Sequence, residues 1–136
     1  AINDILNQTG ESAYQFRGYV FNKYKKTKSG VIYLTFKYET LQRLHVSPSK
    51  AGSMVNLLSN VIGYPIWAFF CENEDGTCHA EFRSNGPGVQ PIAAKYGGGG
   101  HFLAAGVTLN DMSKETVNMI IKDLNKAISD YQKENK

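Results

Sequence analysis

Hydrophobic residues change their spacing several times along the chain, and each change predicts a different structural element. In the first third, large apolar residues gather in residues 16–24 and 31–38, separated by the polar run KKTKSG. β-branched and aromatic residues dominate the second segment, which is typical of strands. We therefore predict a hairpin, or two neighbouring strands, from residues 16–24 and 31–38.

The middle of the chain combines one helical pattern with two strand patterns. Ser47 and Pro48 supply an N-cap and a first-turn proline, and apolar residues then recur at helical spacing, which predicts a helix over residues 47–62. Residues 64–71 are nearly all apolar, as expected of a strand buried on both faces. Residues 77–84 alternate between apolar and polar, which predicts a strand with two unlike faces.

Helical patterns frame the last third of the chain. We predict helices over residues 89–96 and 113–131, a strand at 107–109, and a further short helix at 2–6. Strands interleaved with helices favour one α/β domain, in which a mixed sheet of about five strands packs with helices.

Composition narrows the classes of protein that this chain can belong to. Its 136 residues, 42% hydrophobic and 20% charged, suit one domain with a proper core. The net charge of +3 permits an anionic ligand without indicating a general nucleic-acid binder. Without a signal peptide or an apolar run of about 18 residues, we expect a cytoplasmic protein with no membrane contact. Cys71 and Cys78 are then expected to stay reduced, with a disulfide across a hairpin as the alternative.

The lysines near residue 25 and two of the histidines indicate less about function. Lysines cluster in residues 23–28, where we expect a solvated loop tip, and a weak phosphate-binding rim is the alternative. His45 and His79 stand alone in the sequence, so we interpret them as surface or strand-face residues.

The stretch KYGGGGHFLAAG, residues 95–106, is the most unusual part of the chain. Four consecutive glycines cost more backbone entropy than packing requires, and bare backbone lets a ligand approach closely. Successive N–H groups can form an anion-binding nest, and a helical turn that begins at His101 would add its dipole. We therefore predict a phosphate cradle formed by Gly98, Gly99, Gly100 and His101, with a flexible linker as the alternative.

A second candidate lies at the end of the strand predicted over residues 77–84. Arg83 and Ser84 stand at this strand end, where ligands collect in open α/β sheets. A guanidinium can hold a phosphate bidentately and a hydroxyl can support it. The alternative is a surface ion pair of Arg83 with Glu81 or Glu72. Since one helix and one loop separate Arg83 from His101, both can reach the same edge of the sheet.

Taken together, these stretches resemble a known family. Residues 82–106, FRSNGPGVQPIAAKYGGGGHFLAAG, are similar to the signature of the C-terminal substrate-binding, DHH-associated domain of DHH-family phosphoesterases. The nanoRNase/pAp phosphatase group is the most similar. These bifunctional oligoribonucleases degrade very short RNA and 3′-phosphoadenosine 5′-phosphate (pAp). RecJ-like single-strand exonucleases and cyclic-di-AMP phosphodiesterases share the architecture.

The resemblance implies a parent enzyme with two lobes. An N-terminal lobe with an Asp-His-His cluster would bind two manganese ions, and the C-terminal lobe would hold the nucleotide. In this chain, residues 16–136 would be the substrate-binding domain and residues 1–15 the connector between lobes. The expected partners are short single-stranded RNA or DNA, a small nucleotide such as pAp, and the other lobe; homodimer formation stays open.

The resemblance also assigns roles to the candidate residues. It implies that His101 and the backbone of Gly98–Gly100 contact the phosphate near the scissile bond, and that Arg83 with Ser84 anchors a phosphate. A base could be stacked by one of three aromatic residues, Tyr96, Phe102 or Phe82.

The sequence departs from the whole-enzyme pattern in one respect. It has no Asp-His-His, and its isolated histidines offer no two-metal site. It also begins with Ala1. We therefore expect the substrate-binding lobe of a manganese-dependent phosphoesterase, with no metal of its own and no activity alone. A stand-alone nucleotide- or nucleic-acid-binding module is one alternative. The related C-terminal domain of alanyl-tRNA synthetases is another, but it usually lacks the histidine that follows the glycines here.

Overall fold

Six strands form one mixed sheet, and helices pack on both of its faces. The computed structural model of the protein describes residues 10–135. In chain order the elements are helix α1 (Glu11–Lys23), strands β1 (Lys25–Lys26) and β2 (Val31–Phe36), helices α2 (Tyr38–Arg43) and α3 (Pro48–Ser53), a 3₁₀ helix (Val55–Leu58), strands β3 (Ile66–Glu72) and β4 (Cys78–Ser84), helix α4 (Gln90–Lys95), strands β5 (Gly99–His101) and β6 (Ala104–Leu109), and helix α5 (Lys114–Glu134). The predicted α/β fold with a mixed sheet is confirmed.

The order of strands across the sheet is β1-β2-β3-β4-β6-β5. β2 and β3 run parallel, and every other neighbouring pair is antiparallel. The apolar strand β3 lies inside the sheet and is buried along nearly its whole length, as its sequence predicts. The edge strands β1 and β5 are short and exposed, which limits unwanted pairing with other chains.

Each face of the sheet carries its own hydrophobic core. We call the face that bears Trp67 and Phe69 the front face; α1, α2, α3 and the 3₁₀ helix cover its β2–β3 side. The opposite, back face bears Phe70 and Phe82 and is covered by α4 and α5. The buried residues of α5 recur at helical spacing, so the predicted amphipathic helix is confirmed. Within residues 10–135, no helix has both the length and the apolar character of a membrane span.

The segment at residues 16–24 is a helix, so the prediction of a strand there is wrong. Phe16 and Val20 lie one helical turn apart and are both fully buried in the front core. Phe16 stacks on Phe36 with ring centroids 5.2 Å apart. The strand that forms a hairpin with β2 is instead the two-residue β1, and β3 pairs with the other side of β2. The predicted boundary at residue 15 thus falls inside α1, whereas the helix predicted at residues 2–6 lies outside the described residues.

The helix predicted over residues 47–62 ends early. Ser47 caps α3 by accepting a hydrogen bond from the Lys50 amide at 3.1 Å, but α3 ends at Ser53 and a 3₁₀ helix follows. The 3₁₀ helix is held against the sheet by Trp67, whose indole Nε1 donates to the Asn56 side chain at 2.9 Å. Tertiary contact with β3 therefore overrides the local helical pattern.

The two cysteines do not face each other. β3 and β4 pair with Cys71 opposite His79, so Cys71 points into the front core and Cys78 into the back core. Both thiols are free and buried, which rules out the disulfide alternative. Burial also raises the pKa of both thiols, so they are protonated at neutral pH.

A pair of substitutions in α1 tests its placement. Phe16→Ala should lower the free energy of unfolding by about 3–5 kcal/mol, because it empties a fully buried aromatic site. Tyr14→Ala on the same helix should change it by less than about 0.5 kcal/mol, because Tyr14 is 62% exposed. Urea denaturation of both variants measures the difference, and equal effects would contradict the helical assignment.

Candidate functional site

The glycine run begins by closing helix α4. Gly97 has a φ of +92°, and its amide donates to the carbonyl of Ala94 at 3.1 Å. The amide of Gly98 donates to the carbonyl of Ala93 at 2.8 Å. These two bonds form the Schellman arrangement, in which a glycine in left-handed conformation ends a helix. Gly97 is therefore required by the turn itself.

Close contact with strand β6 explains two further glycines. A Cβ on Gly98 would lie 2.2 Å from the carbonyl oxygen of Gly106, and one on Gly100 would lie 2.6 Å from that of Ala104. Gly100 also has a φ of +137°. Gly99 is different, because it has no positive φ and a Cβ there would meet nothing within 4 Å. The fold within the described residues therefore gives no reason for a glycine at position 99.

His101 ends strand β5, so no helical turn begins there and no helix dipole adds to the site. β5 pairs with β6 antiparallel, and β6 begins at Ala104, three residues earlier than the strand predicted from the sequence. Small residues in both strands let the two backbones approach, so the hairpin is favoured over a helix. Because β5 is an edge strand, the backbone groups on its outer side face away from the sheet.

Strand register brings Arg83 and His101 onto one row of the sheet. Arg83 on β4 is opposite Ala104 on β6, and Ala104 is opposite His101 on β5. Directly paired residues point to the same face, and neighbouring strands lie about 4.8 Å apart, so the two Cα atoms are separated by about 10 Å. The predicted proximity of Arg83 and His101 is thus seen in the fold, with only the methyl group of Ala104 between them.

Glu81 lies one row below Arg83 and contacts it directly. Arg83 Nη1 donates to Glu81 Oε2 at 3.0 Å and to the Phe82 carbonyl at 2.9 Å. The other carboxylate oxygen, Oε1, lies 3.2 Å from His79 Nε2. The ion pair that the sequence offers as an alternative for Arg83 is therefore real. Its partner is Glu81, since Glu72 accepts a hydrogen bond from the Tyr38 amide instead.

The ionisation of Glu81 follows from these contacts. Burial raises the pKa of its carboxyl group, but hydrogen bonds from His79 and Arg83, together with their charges, outweigh burial. The pKa of Glu81 consequently lies below its usual value, and the side chain is a carboxylate at neutral pH.

Ser84 is not brought to the guanidinium. It is buried, and strand alternation places it on the back face, opposite to Arg83. Its hydroxyl accepts a hydrogen bond from the Gly86 amide at 3.1 Å, which shapes the turn that follows β4. The fold separates the two members of the predicted Arg-Ser pair, so we assign Ser84 a role in that turn.

The front face around this row is open and lined by small residues. Its next row pairs Glu81 with Gly106 on β6 and Gly99 on β5. His101 is exposed, and Ala104 and Gly106 are half-buried. A guanidinium, an imidazole and bare backbone on one surface suit a phosphate group. Within residues 10–135, no group of three His, Cys, Asp or Glu side chains is placed to hold a metal ion.

Two other regions lie apart from this row. The lysine-rich segment 23–28 contains β1, at the opposite edge of the sheet from β5, and the five strand spacings between these edges amount to about 24 Å. The segment includes β1 itself, so it is not simply a loop, but its four lysines are exposed to solvent as expected and lie too far away to form a rim of this site. A cavity of about 520 Å³ lies on the back face between α4, α5 and Phe102, and its lining includes neither Arg83 nor His101.

The three aromatic candidates for base stacking differ in exposure. Phe82 is fully buried in the back core. Tyr96 donates its hydroxyl hydrogen to Asp123. Phe102, in the turn directly after His101, is 61% exposed, and its ring rests against Gly88, where a Cβ would lie 2.5 Å away. Phe102 is therefore the candidate whose ring is both accessible and held in place.

Sequence reasoning named Glu81 only as one of two alternative ion-pair partners of Arg83, and it missed Gly106. The alternation of residues 77–84 already placed Glu81 on the face of Arg83, so that signal was present. The position of Gly106 beneath the carboxylate depends on strand order, which local sequence does not reveal.

Comparison with known proteins identifies a domain family that matches most of the chain. The sequence profile of the DHHA1 domain matches residues 28–130, which include both Arg83 and the glycine run.

Two relatives of known name are similar to nearly the whole chain. The chain is 38% identical over 128 residues to the bifunctional oligoribonuclease and PAP phosphatase NrnA of Mycoplasma pneumoniae, covering 94% of the chain and 38% of that protein. It is 31% identical over 133 residues to NrnA of Bacillus subtilis, covering 96% of the chain and 42% of that protein. The chain thus spans about two fifths of the length of these relatives.

A solved structure shows the same fold. The crystal structure of an exopolyphosphatase-related protein from Bacteroides fragilis superimposes with a TM-score of 0.73 at 23% identity, covering 92% of this chain and 36% of that one.

Neighbouring glycines provide a test of which positions the fold itself constrains. Gly98→Ala should destabilise the protein by about 1–3 kcal/mol, because its Cβ would collide with the β6 backbone. Gly99→Ala should change the free energy of unfolding by less than about 0.5 kcal/mol, because space is open there. Thermal denaturation of both variants compares them, and a strongly destabilised Gly99→Ala would show a structural role that the contacts do not reveal.

Proposed function

Because this chain belongs to the DHHA1 domain family, we propose that it is the substrate-binding lobe of a phosphoesterase that hydrolyses short oligoribonucleotides, pAp, or both. The similarity to NrnA proteins supports this substrate class, since those relatives are named for oligoribonuclease and PAP phosphatase activity. Most of each relative's length lies outside the region matched here, which leaves room for a catalytic lobe.

The row formed by Arg83, Ala104 and His101 carries the proposal. It presents a guanidinium and an imidazole on residues whose Cα atoms lie about 10 Å apart, across an open surface with little side-chain bulk between them. Gly99, one row away on β5, leaves the backbone without a side chain, although nothing in the described fold requires a glycine there. A nucleotide phosphate, or two successive phosphates of a short strand, is an anion of suitable size for this surface.

We assign each residue a role in holding the substrate. Arg83 anchors one phosphate through the guanidinium N–H groups that are not turned toward the sheet. His101 donates to a phosphate oxygen, and its contact strengthens as charge develops there during reaction. The backbone of Gly98–Gly100 lets the phosphate approach the front face. The exposed ring of Phe102 borders the back-face cavity, so a base stacked on it would reach that ring around the edge strand β5.

The manganese ions expected for such an enzyme do not fit the part of this chain that the structure describes. Residues 10–135 contain no cluster of three metal-ligating side chains. Manganese binding would therefore fall to a separate lobe, and this chain's own residues would bind and orient the substrate.

The isolated chain should bind nucleotide without hydrolysing it. Titration of the 136-residue chain with pAp, followed by amide NMR, should shift the signals of Gly99, Gly100 and His101 in a saturable way. Addition of manganese chloride should release no phosphate from pAp and cleave no dinucleotide. Sustained manganese-dependent turnover would contradict the assignment as a binding lobe, and unmoved signals in the glycine run would contradict the site.

The contribution of Arg83 can be measured against another arginine. Arg83→Ala should weaken pAp binding by about 1.5–3 kcal/mol, the scale of a hydrogen bond to a charged group. Arg43→Ala removes the same charge from an exposed position on α2, which follows β2 at the far end of the sheet, and should leave the affinity nearly unchanged. Calorimetry or NMR titration compares the dissociation constants. Equal affinities for wild type and Arg83→Ala would make Arg83 a structural residue.

A further inference from the structure

We infer that Glu81 is the positioning residue for Arg83 in this site, a role that rests on the proposed function. The carboxylate holds one edge of the guanidinium against the sheet and so turns the other edge toward the open surface shared with His101. Glu81 itself does not contact the substrate in this arrangement. It acts through the direction in which it holds its neighbour.

The hydrogen bonds of Arg83 show that only one edge of its guanidinium is bound to the protein. Nη1 contacts Glu81 Oε2 at 3.0 Å, the Phe82 carbonyl at 2.9 Å and the Ala105 carbonyl at 3.5 Å. Within residues 10–135, all hydrogen bonds of the guanidinium are made by this one nitrogen. Nε and Nη2 therefore keep their donors for a ligand, and the fork that they form matches two oxygens of a phosphate.

The carboxylate of Glu81 is itself held in place by His79, on the side away from Arg83. Oε1 lies 3.2 Å from His79 Nε2, and the side chain of Glu81 is only 19% exposed. His79 in turn packs on Gly52 of α3, where a Cβ would lie 2.8 Å from the imidazole Cδ2. A line of contacts thus runs from α3 through His79 and Glu81 to Arg83.

Gly106 gives the carboxylate its space on strand β6. It is paired with Glu81, and a Cβ at position 106 would lie 2.9 Å from Oε2, the same oxygen that contacts Arg83. A side chain there would push the carboxylate away from the guanidinium. The final glycine of the AAG sequence therefore has a reason that the β5–β6 hairpin alone does not provide.

Charge and position must be separated in a test, because the carboxylate also repels a phosphate. Glu81→Gln and Glu81→Met both remove the negative charge and nearly preserve side-chain size. The amide oxygen of Gln can still accept a hydrogen bond from Arg83 Nη1, whereas Met has no comparable acceptor. The difference between these two variants consequently reports positioning alone.

The experiment measures pAp affinity of the 136-residue chain by NMR titration in four variants. Glu81→Gln and Glu81→Met are compared in the wild-type background and again in the Arg83→Ala background. Glu81→Met should bind about three- to tenfold more weakly than Glu81→Gln, the scale of one hydrogen bond. In the Arg83→Ala background, Glu81→Gln and Glu81→Met should bind pAp equally well, because Glu81 influences binding only through the orientation of Arg83.

Side-chain NMR of the Arg83 guanidinium gives a second readout without ligand. Rotation about the Nε–Cζ bond should be slow in wild type and Glu81→Gln and fast in Glu81→Met. Gly106→Ala, which displaces the carboxylate while keeping both charged residues, should also accelerate it.

The possible failures can be told apart. Equal affinity of Glu81→Gln and Glu81→Met, or a difference that persists without Arg83, overturns the positioning role while leaving the phosphate site intact. Unchanged guanidinium rotation in Glu81→Met also overturns it. An Arg83→Ala chain that binds pAp as tightly as wild type instead overturns the proposed function on which the inference rests.

Discussion

Close approach of backbone to backbone around strand β6 is the constraint on which the site depends. Cβ atoms at Gly98 and Gly100 would collide with carbonyl oxygens of β6, and a Cβ at Gly106 would collide with the Glu81 carboxylate. These glycines therefore allow β5 to pair with β6 in one register and allow β4 side chains to lie flat over the sheet. That register places His101 and Arg83 on one row. A shift by one residue would send the imidazole to the other face of the sheet.

The two halves of the sheet are built for different tasks. Helices and large aromatic side chains cover the front of β2 and β3, where Phe16, Phe36 and Phe69 pack together and supply stability. The front of β6 and β5 carries small side chains and stays uncovered. On the back face, α4 and α5 pack against the sheet as far as β6. This packing supports the sheet from behind, so the uncovered front surface can remain rigid although no helix covers it. The cost of four glycines in a row is thus offset by packing behind them.

Sequence patterns predicted the elements whose period is unambiguous. The alternation of residues 77–84 gave the faces of Arg83 and Glu81, and the spacing along α5 gave its buried side. The prediction failed at residues 16–24, because Tyr19 and Phe21 mask the four-residue spacing of Phe16 and Val20. The strand predicted at residues 107–109 is part of β6, but β5 and the start of β6 were missed, because their pairing depends on contacts between strands that local propensity does not contain. The glycine run was identified as unusual, but its four members have separate roles that only the strand contacts distinguish.

The two interpretations of Arg83 that the sequence allows are compatible with each other. An ion pair with Glu81 uses Nη1, and a phosphate would use the remaining edge of the same planar group. An arginine side chain without such a partner must lose several rotamers when it binds an anion, which reduces the net gain. A guanidinium already held by a carboxylate and a carbonyl has lost them on folding. The carboxylate would also weaken the attraction for a phosphate, so an arginine held this way gains orientation and gives up part of its affinity for the anion.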